Sequence, residues 1–443
     1  MNLTFKKNID INPKIYIKGG RVINSKEGAN VKQDIFIADK KIIAIGNKNE
    51  TSIDFTPDLE IDATDKIVCP GLVDFSARVR GSAEMEHKVN LESELLAAVA
   101  GGITRIVCPP DNKPSKDEIR SIEMLLKKGQ LAKKAHIHPL GTLTSSLRGE
   151  KITEMAKFTQ AGCIGFTQDN LPIKDTQVLM RALQYAGGFN YTVWVKPIDP
   201  WLGFDGVAHS GSVATRLGLS EVPVLSETIS ILTVLELMRD IDINIHFCRI
   251  SSERGVQLIR QAKADGLKVT ADVGVHHLHL TQIDIEDFNT NSKVVPPFRA
   301  ERDKEALTLG VIDGTIDCVC SDHTPITEEL KNLPFSDAEP GLMGLELLLP
   351  LTLKWGKENK VSLEKVLSLI TSNPSNILGR ELAKVTVGNN ADICIFDEFE
   401  VWPVNASNLI TQFRNSPFYG YELEGRVQQT IVDGSCVYSK EKN

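Results

Sequence analysis

From about Leu91 onward the chain alternates short apolar, strand-like runs with segments of helical period, and this alternation constrains the fold more than any other feature. The runs are TRIVCPP, HIHPLGTLT, CIGFTQ, YTVWVKP, INIHFCRIS, LKVTADVGV and IDCVCSDH. Between them lie ESELLAAVAGG, EIRSIEMLLKKG, VLMRALQYAGG, SETISILTVLELMRD and GVQLIRQAKADG, in which apolar residues recur at helical spacing. With IVCPGLVDF counted first there are eight strands separated by helices, the pattern of a closed parallel (β/α)8 barrel of the TIM type. Residues 15–62 read differently. IYIKGGRVIN, DIFIADKKIIAIG and LEIDATDKIV alternate β-rich runs with turns, as small antiparallel strands do. ADICIFD and RVQQTIVDGSCVYS return to that character from about Asn389. The expected division is a barrel over 67–380 and one small β-sandwich built from 1–66 and 381–443. The pairs Gly19-Gly20, Gly101-Gly102 and Gly187-Gly188 read as turns and helix ends.

A length of 443 residues suits a large α/β domain plus a smaller one. With 42% hydrophobic and 24% charged residues, the composition is that of a soluble globular protein. The net charge of −8 and the lack of a strongly basic stretch argue against nucleic acid or an anionic membrane as partner. The first residues hold no apolar run suited to a signal peptide, and no stretch approaches the ~20 apolar residues of a membrane span. A cytoplasmic location is expected. The eight cysteines sit mostly inside apolar runs. Even Cys318 and Cys320, spaced C-x-C on one strand, are expected to be buried thiols rather than a metal or redox pair.

Active sites of such barrels lie at the C-terminal ends of the strands. That rule singles out Ser76, Arg78 and Arg80, then Asp111, Gln168 and Asp169, Lys196, Arg249, Val295, and the stretch from Asp322 to Ile326. The same positions carry a recognisable frame. PGLVDFSARVR at 70–80 resembles the PGLVD-x-H-x-H-x-R opening of dihydroorotases and related cyclic amidohydrolases. HPLGTLT, GFTQDNLPI, HFCRISSERG, VHHLHLT, KVVPPFR, SDHTP, EPGLMGLELLLPL and RNSPFYG are similar, in order, to stretches of type I dihydroorotases. The resemblance spans nearly the whole chain and implies an amidohydrolase barrel with a β-sandwich from both termini.

For chemistry the resemblance implies a loss. The family holds zinc in the barrel mouth, where a bound hydroxide opens a cyclic amide. Its ligands are an H-x-H pair, a carboxylate or carboxylated lysine, two further histidines, and an aspartate that also accepts a proton. Here the histidine positions fall on Ser76, Arg78, Lys196 and Arg249, and Asp322 remains as the relic of the base. The intermediate carboxylate is Asp169, with Gln168 beside it as the other candidate. Zinc takes neutral imidazole nitrogen, thiolate or anionic oxygen. Arginine has no lone pair to give, and lysine would need a large pKa depression. No zinc and no other cofactor is therefore expected. The substrate-holding set is also altered. Arg80 is retained, but Asp111 stands for an asparagine, Val295 for another, and Ile326 for a histidine.

The remaining histidines offer no replacement set. Strand alternation points His246 away from Arg249, and His323 faces away from Asp322. His276 and His277 match a supporting pair of the family, and His87 lies in a loop nine residues beyond Arg78. At least one of Arg78, Lys196 and Arg249 is expected within ~4 Å of Asp169 or Asp322, because an unpaired carboxylate in a narrow mouth is costly.

Within the resemblance, this defect pattern matches bacterial pseudo-dihydroorotases that lack the metal histidines. These form a permanent complex with the catalytic chain of aspartate transcarbamoylase. The match implies a non-catalytic subunit of pyrimidine biosynthesis within a homo- or hetero-oligomer. One rival is an active cyclic amidohydrolase with an altered or metal-free site, using Asp322 as base and the cations to hold an anionic substrate; zinc would return only on that reading. The other is a self-assembling scaffold like the dihydropyrimidinase-like structural proteins, against which KVVPPFR and RNSPFYG speak.

Overall fold

The computed structural model describes residues 13–24, 30–47, 54–79, 90–110, 119–203, 205–379 and 384–440. The apolar runs of the middle of the chain become barrel strands. In order these are Leu72–Asp74, Ile103–Cys108, His136–Pro139 with Gly141–Thr142, Phe166–Thr167, Thr192–Val195, Asn244–Phe247, Val269–Gly274 and Cys318–Cys320. Successive strands pair in parallel. The ring closes between the last strand and the first through a parallel bridge of Ala77 with His323. The Arg78 N–H donates to the His323 carbonyl there at 2.8 Å.

Helices Leu91–Ala100, Ile119–Ala132, Thr176–Gly188, Val224–Met238, Glu253–Ala264 and Glu301–Asp313 fill the connections. Asn90, Asp175 and Ser252 start three of them, each accepting a hydrogen bond from a free N–H of the first turn. The helices pack apolar residues such as Leu95, Ile231, Ile259 and Leu307 against the strands in one continuous core. Inside the barrel, Val73, Phe75, Val107, Leu140, Trp194, Cys248, Cys318 and Cys320 form an apolar plug beneath the mouth. All eight cysteines are free thiols and seven are buried. Among the described residues no helix is long and apolar enough to cross a membrane.

The two ends of the chain share one sheet of eight strands. Its order is Ser435–Ser439, Glu422–Val432, Ile393–Pro403, Ile67–Pro70, Ile15–Ile23, Asn30–Ala38 and Lys41–Ile45, with Leu59–Asp62 also on Ile15–Ile23. Ile15, Ile17, Ile35, Ile37, Ile393 and Ile395 gather on one face, while Tyr16, Phe36 and Ala44 cluster separately. Two readings of the sequence need correction. IVCPGLVDF is two strands, since Ile67–Pro70 pairs with Ile15–Ile23 and Ile393–Pro403 in the terminal sheet, and only Leu72–Asp74 enters the barrel. Gly71 stands between them. A Cβ there would lie 2.2 Å from the Thr104 side chain, so the crossing tolerates no side chain. Gly19-Gly20 is not a turn but a bulge within a strand, with Gly19 at φ +68°. The other two glycine pairs do lie at helix ends.

Candidate functional site

The mouth is built by a repeated backbone device. Asp169, Arg249 and Asp322 each lie two residues past the end of an even-numbered barrel strand, and each adopts a left-handed conformation, with φ of +48°, +53° and +47°. This conformation costs a residue with a Cβ roughly 1–2 kcal/mol, though aspartate tolerates it better than most. Local hydrogen bonds hold the three kinks. The Asp169 N–H donates to Thr167 Oγ1 at 3.0 Å, and the Arg249 N–H donates to Asp272 Oδ1 at 2.6 Å. Past Asp322, the His323 N–H donates to Ser321 Oγ at 3.0 Å.

The kinks bring the former ligand positions together. Arg78 Nη2 lies 2.5 Å from Asp169 Oδ2, while Arg78 Nη1 donates to Thr324 Oγ1 at 3.2 Å. Arg249 spans both carboxylates, with Nη2 3.6 Å from Asp169 Oδ1 and Nε 3.5 Å from Asp322 Oδ1. The latter contact is close enough for charge attraction but is not aligned as a hydrogen bond. Ser76 Oγ donates to Asp322 Oδ1 at 3.2 Å. The expectation that a new cation pairs with one of these carboxylates is therefore met twice over. Burial raises the Asp169 pKa, but Arg78, Lys196 and Arg249 together outweigh it and hold the group below the usual carboxylate range.

Lys196, one residue past the fifth strand, is 7% exposed. Burial first, and then the charge of Arg249, pushes its pKa down to about 8. Behind it, burial keeps His276 neutral down to a pKa of about 3. Gln168 is turned to a structural task, accepting from Thr144 Oγ1 at 3.0 Å and donating to the Leu147 carbonyl at 2.8 Å. Of the two neighbours, Asp169 is thus the one that faces the cations. Val295 is half-buried and Ile326 lies in the main core, so neither brings a polar side chain. Arg80, His87 and Asp111 lie outside the described residues.

Three buried acids that support the mouth escaped the sequence reading. Asp74 accepts from the Ser321 N–H at 2.9 Å and from Ser321 Oγ, tying the first strand to the turn that carries Asp322. Asp272 holds the Arg249 backbone and accepts from His246 Nε2 at 2.9 Å. Glu227 accepts from the N–H groups of Ser251 and Ser252 at 3.0 and 3.1 Å. Their signal was present: an acid inside an apolar run, as in LVDF and TADVG, is costly unless it is hydrogen-bonded. His323 donates to Glu94 Oε2 at 2.8 Å, facing away from Asp322.

The donor set does not fit zinc. Two arginines already occupy the two carboxylates, and an arginine offers no lone pair. Among the described residues, two other groups have the spacing of a metal site: His246, Cys248 and Asp272 under the mouth, and His136, Asp392 and Asp433 at the opposite end. In the first, both His246 nitrogens already have hydrogen-bond partners, and burial pushes the Cys248 thiol well up. In the second, Arg105 occupies Asp392 at 2.6 Å.

Comparison with known proteins places this geometry. A family model described as dihydro-orotase-like matches residues 65–255, and one described as the amidohydrolase family matches residues 192–437. A dihydroorotase from Geobacter sp. strain M21 is 34% identical over 96% of this chain and 99% of its own length. A dihydroorotase-like protein from Pseudomonas aeruginosa is 35% identical over the same shares. Among solved structures, the L-hydantoinase (dihydropyrimidinase) of Arthrobacter aurescens superposes with a TM-score of 0.81 at 24% identity, covering 97% of this chain and 96% of that one, a likeness of fold. The chain belongs to the dihydroorotase-like branch of the amidohydrolase family.

Proposed function

We infer that this chain is a catalytically silent, zinc-free dihydroorotase-like protein that serves as a non-catalytic subunit beside the catalytic chain of an aspartate transcarbamoylase. The observation that carries the loss of catalysis is the pairing of Arg78 and Arg249 with Asp169 and Asp322. Those arginines neutralise the two acids from positions where the family resemblance implies metal-binding histidines. Hydrolysis of a cyclic amide needs a nucleophilic water and a free base. Asp322, the residue the resemblance casts as the base, is engaged by Ser76 and Arg249. The partner is supported by the resemblance to pseudo-dihydroorotases, and an oligomeric, cytoplasmic assembly goes with it.

The second reading, an active cyclic amidohydrolase, draws on the names of the relatives, most of which are called dihydroorotase. One experiment separates the two. The chain is isolated under native conditions from its own source, its bound proteins are identified, and the preparation is assayed for opening of dihydroorotate. Co-purification with an aspartate transcarbamoylase chain and no ring opening by this chain is the expected result. Ring opening that is abolished by Asp322→Ala would overturn the proposal.

A further inference from the structure

Helix Val224–Met238 is apolar on the side it turns away from the barrel. Its buried positions include Ser226, Glu227 and Thr228, while Leu225, Ile229 and Leu232 are 58, 37 and 48% exposed. With Glu236 after them, these three recur at i, i+4, i+7 and i+11, so they line one outward strip. A helix that is apolar on all sides is ordinarily a covered one. The buried acid has a task within the barrel, since Glu227 holds the backbone of Ser251 and Ser252. The three exposed apolar side chains have none.

The neighbouring helices are different. Glu253–Ala264 runs alongside, tied at one end by Glu227 to Ser252 and at the other by Arg239, 3.9 Å from Asp265. Its exposed positions include Arg254, Gln257 and Arg260. Thr176–Gly188, which precedes the fifth strand, lies on the other flank with Gly187 against the Asp242 carbonyl, and it exposes Gln177, Arg181 and Gln184. An apolar strip with polar surface on both sides is the anatomy of a contact surface. Trp201, 71% exposed, extends the strip at one end. Its N–H donates to Asp199 Oδ1 at 2.9 Å, and the Asp199 N–H donates to the Ser226 carbonyl at 2.9 Å. Lys174 Nζ stands 4.8 Å from the centre of the Trp201 ring, and the exposed acids Glu236 and Asp240 mark the opposite end.

We propose that this face pairs with the same face of a second copy of the chain, the two Val224–Met238 helices lying antiparallel about a two-fold axis. A two-fold contact must be self-complementary, and this strip is. Antiparallel pairing centred between Thr228 and Ile229 sets Leu225 against Leu232 of the second copy and Ile229 beside its own counterpart. It also sets the end with Lys174 against the end with Glu236 and Asp240, so that opposite charges meet at both rims. Three helices about 20 Å long and roughly 8–10 Å apart present roughly 600 Å² per copy, or about 1,200 Å² for the pair, the lower end of a specific interface. The proposal deepens the oligomeric part of the reading above and does not involve the transcarbamoylase chain.

Sedimentation velocity of the full-length chain alone, over a hundredfold range of concentration, reads the assembly. The expected result is a reversible dimer whose mass approaches twice 48.8 kDa at the upper end. Leu225→Lys and Leu232→Glu should each weaken the dimer at least tenfold and leave the circular dichroism unchanged, because both side chains are exposed in the single chain. The two substitutions combined should recover much of the association, since each new cation then faces a new anion across the axis. Leu309→Lys, at a comparably exposed leucine on helix Glu301–Asp313, should change nothing. A chain that stays monomeric throughout, a dimer indifferent to either single substitution, or one that Leu309→Lys also breaks would overturn the face, and a double variant that stays monomeric would overturn the antiparallel pairing. No transcarbamoylase chain is in the sample, so failure here and failure of the proposed subunit role are told apart.

Discussion

Replacing Arg249 by methionine removes a cation that lies within 4 Å of both buried carboxylates, at 3.6 Å from Asp169 and 3.5 Å from Asp322. With an effective dielectric of about 20, each contact contributes roughly 5 kcal/mol of attraction, and the two together about 9. Against this stand several kcal/mol for desolvating the guanidinium and the repulsion from Arg78 and Lys196. The net loss expected is about 3–5 kcal/mol, the range seen when one partner of a buried pair is removed. Methionine retains most of the apolar stem, so lost packing adds little. Guanidinium denaturation followed by circular dichroism reads the change as a lower midpoint at unchanged slope. Neutralising the acid in the same background, with Asp322→Asn, should recover part of the loss. The double-mutant cycle should then show coupling of about 0.5–3 kcal/mol. A loss below about 1 kcal/mol, or strictly additive effects, would mean that the arginine reached its place without taking over the compensation of these acids.

Lys196 gives a pH signature. Its folded pKa of about 8 lies below the ordinary value, so between about pH 8 and 10.4 the unfolded chain binds the extra proton and stability rises with pH, by up to about 3 kcal/mol. Denaturation from pH 7 to 10 should show this rise as a difference between wild type and Lys196→Met, a subtraction that cancels Lys331, which burial pushes down to about 7. Metal analysis of protein prepared without chelator should find far less than one zinc per chain; a stoichiometric zinc lost on Asp322→Ala would contradict the reading of the mouth. Ser76→His alone should not create ring-opening activity, since Arg78, Lys196 and Arg249 remain, and measurable turnover by that variant would count against it.

The barrel was legible because apolar runs and helical periods alternate along the chain, and this signal does not depend on any single residue. The strand ends carrying Ser76, Asp169, Lys196, Arg249 and Asp322 followed from it. What the sequence hid was local. Ile67–Pro70 and Leu72–Asp74 form one apolar run, and only the backbone reveals that a single glycine divides it between two sheets. Gln168 and Asp169 are equally polar neighbours, and the choice between them depended on the partners of Gln168 in the 144–147 loop. The pairing of the cations could be anticipated from charge alone. That Arg249 would span both acids, while Lys196 would stay apart, depends on angles at the strand ends that no spacing encodes.

The crossing at Gly71 has a mechanical side. Ile67–Pro70 lies inside the terminal sheet with neighbours on both edges, and two residues later Leu72–Asp74 is hydrogen-bonded into the barrel ring. With no slack between them, the two bodies share a stave, like a handle forged in one piece with its bowl. The Gly71 N–H is itself pinned to the Asp392 carbonyl at 2.9 Å, so the joint has little room to swivel. A pull or twist delivered to the terminal sheet is therefore transmitted along the first stave to Asp74, and from there to the turn that carries Asp322.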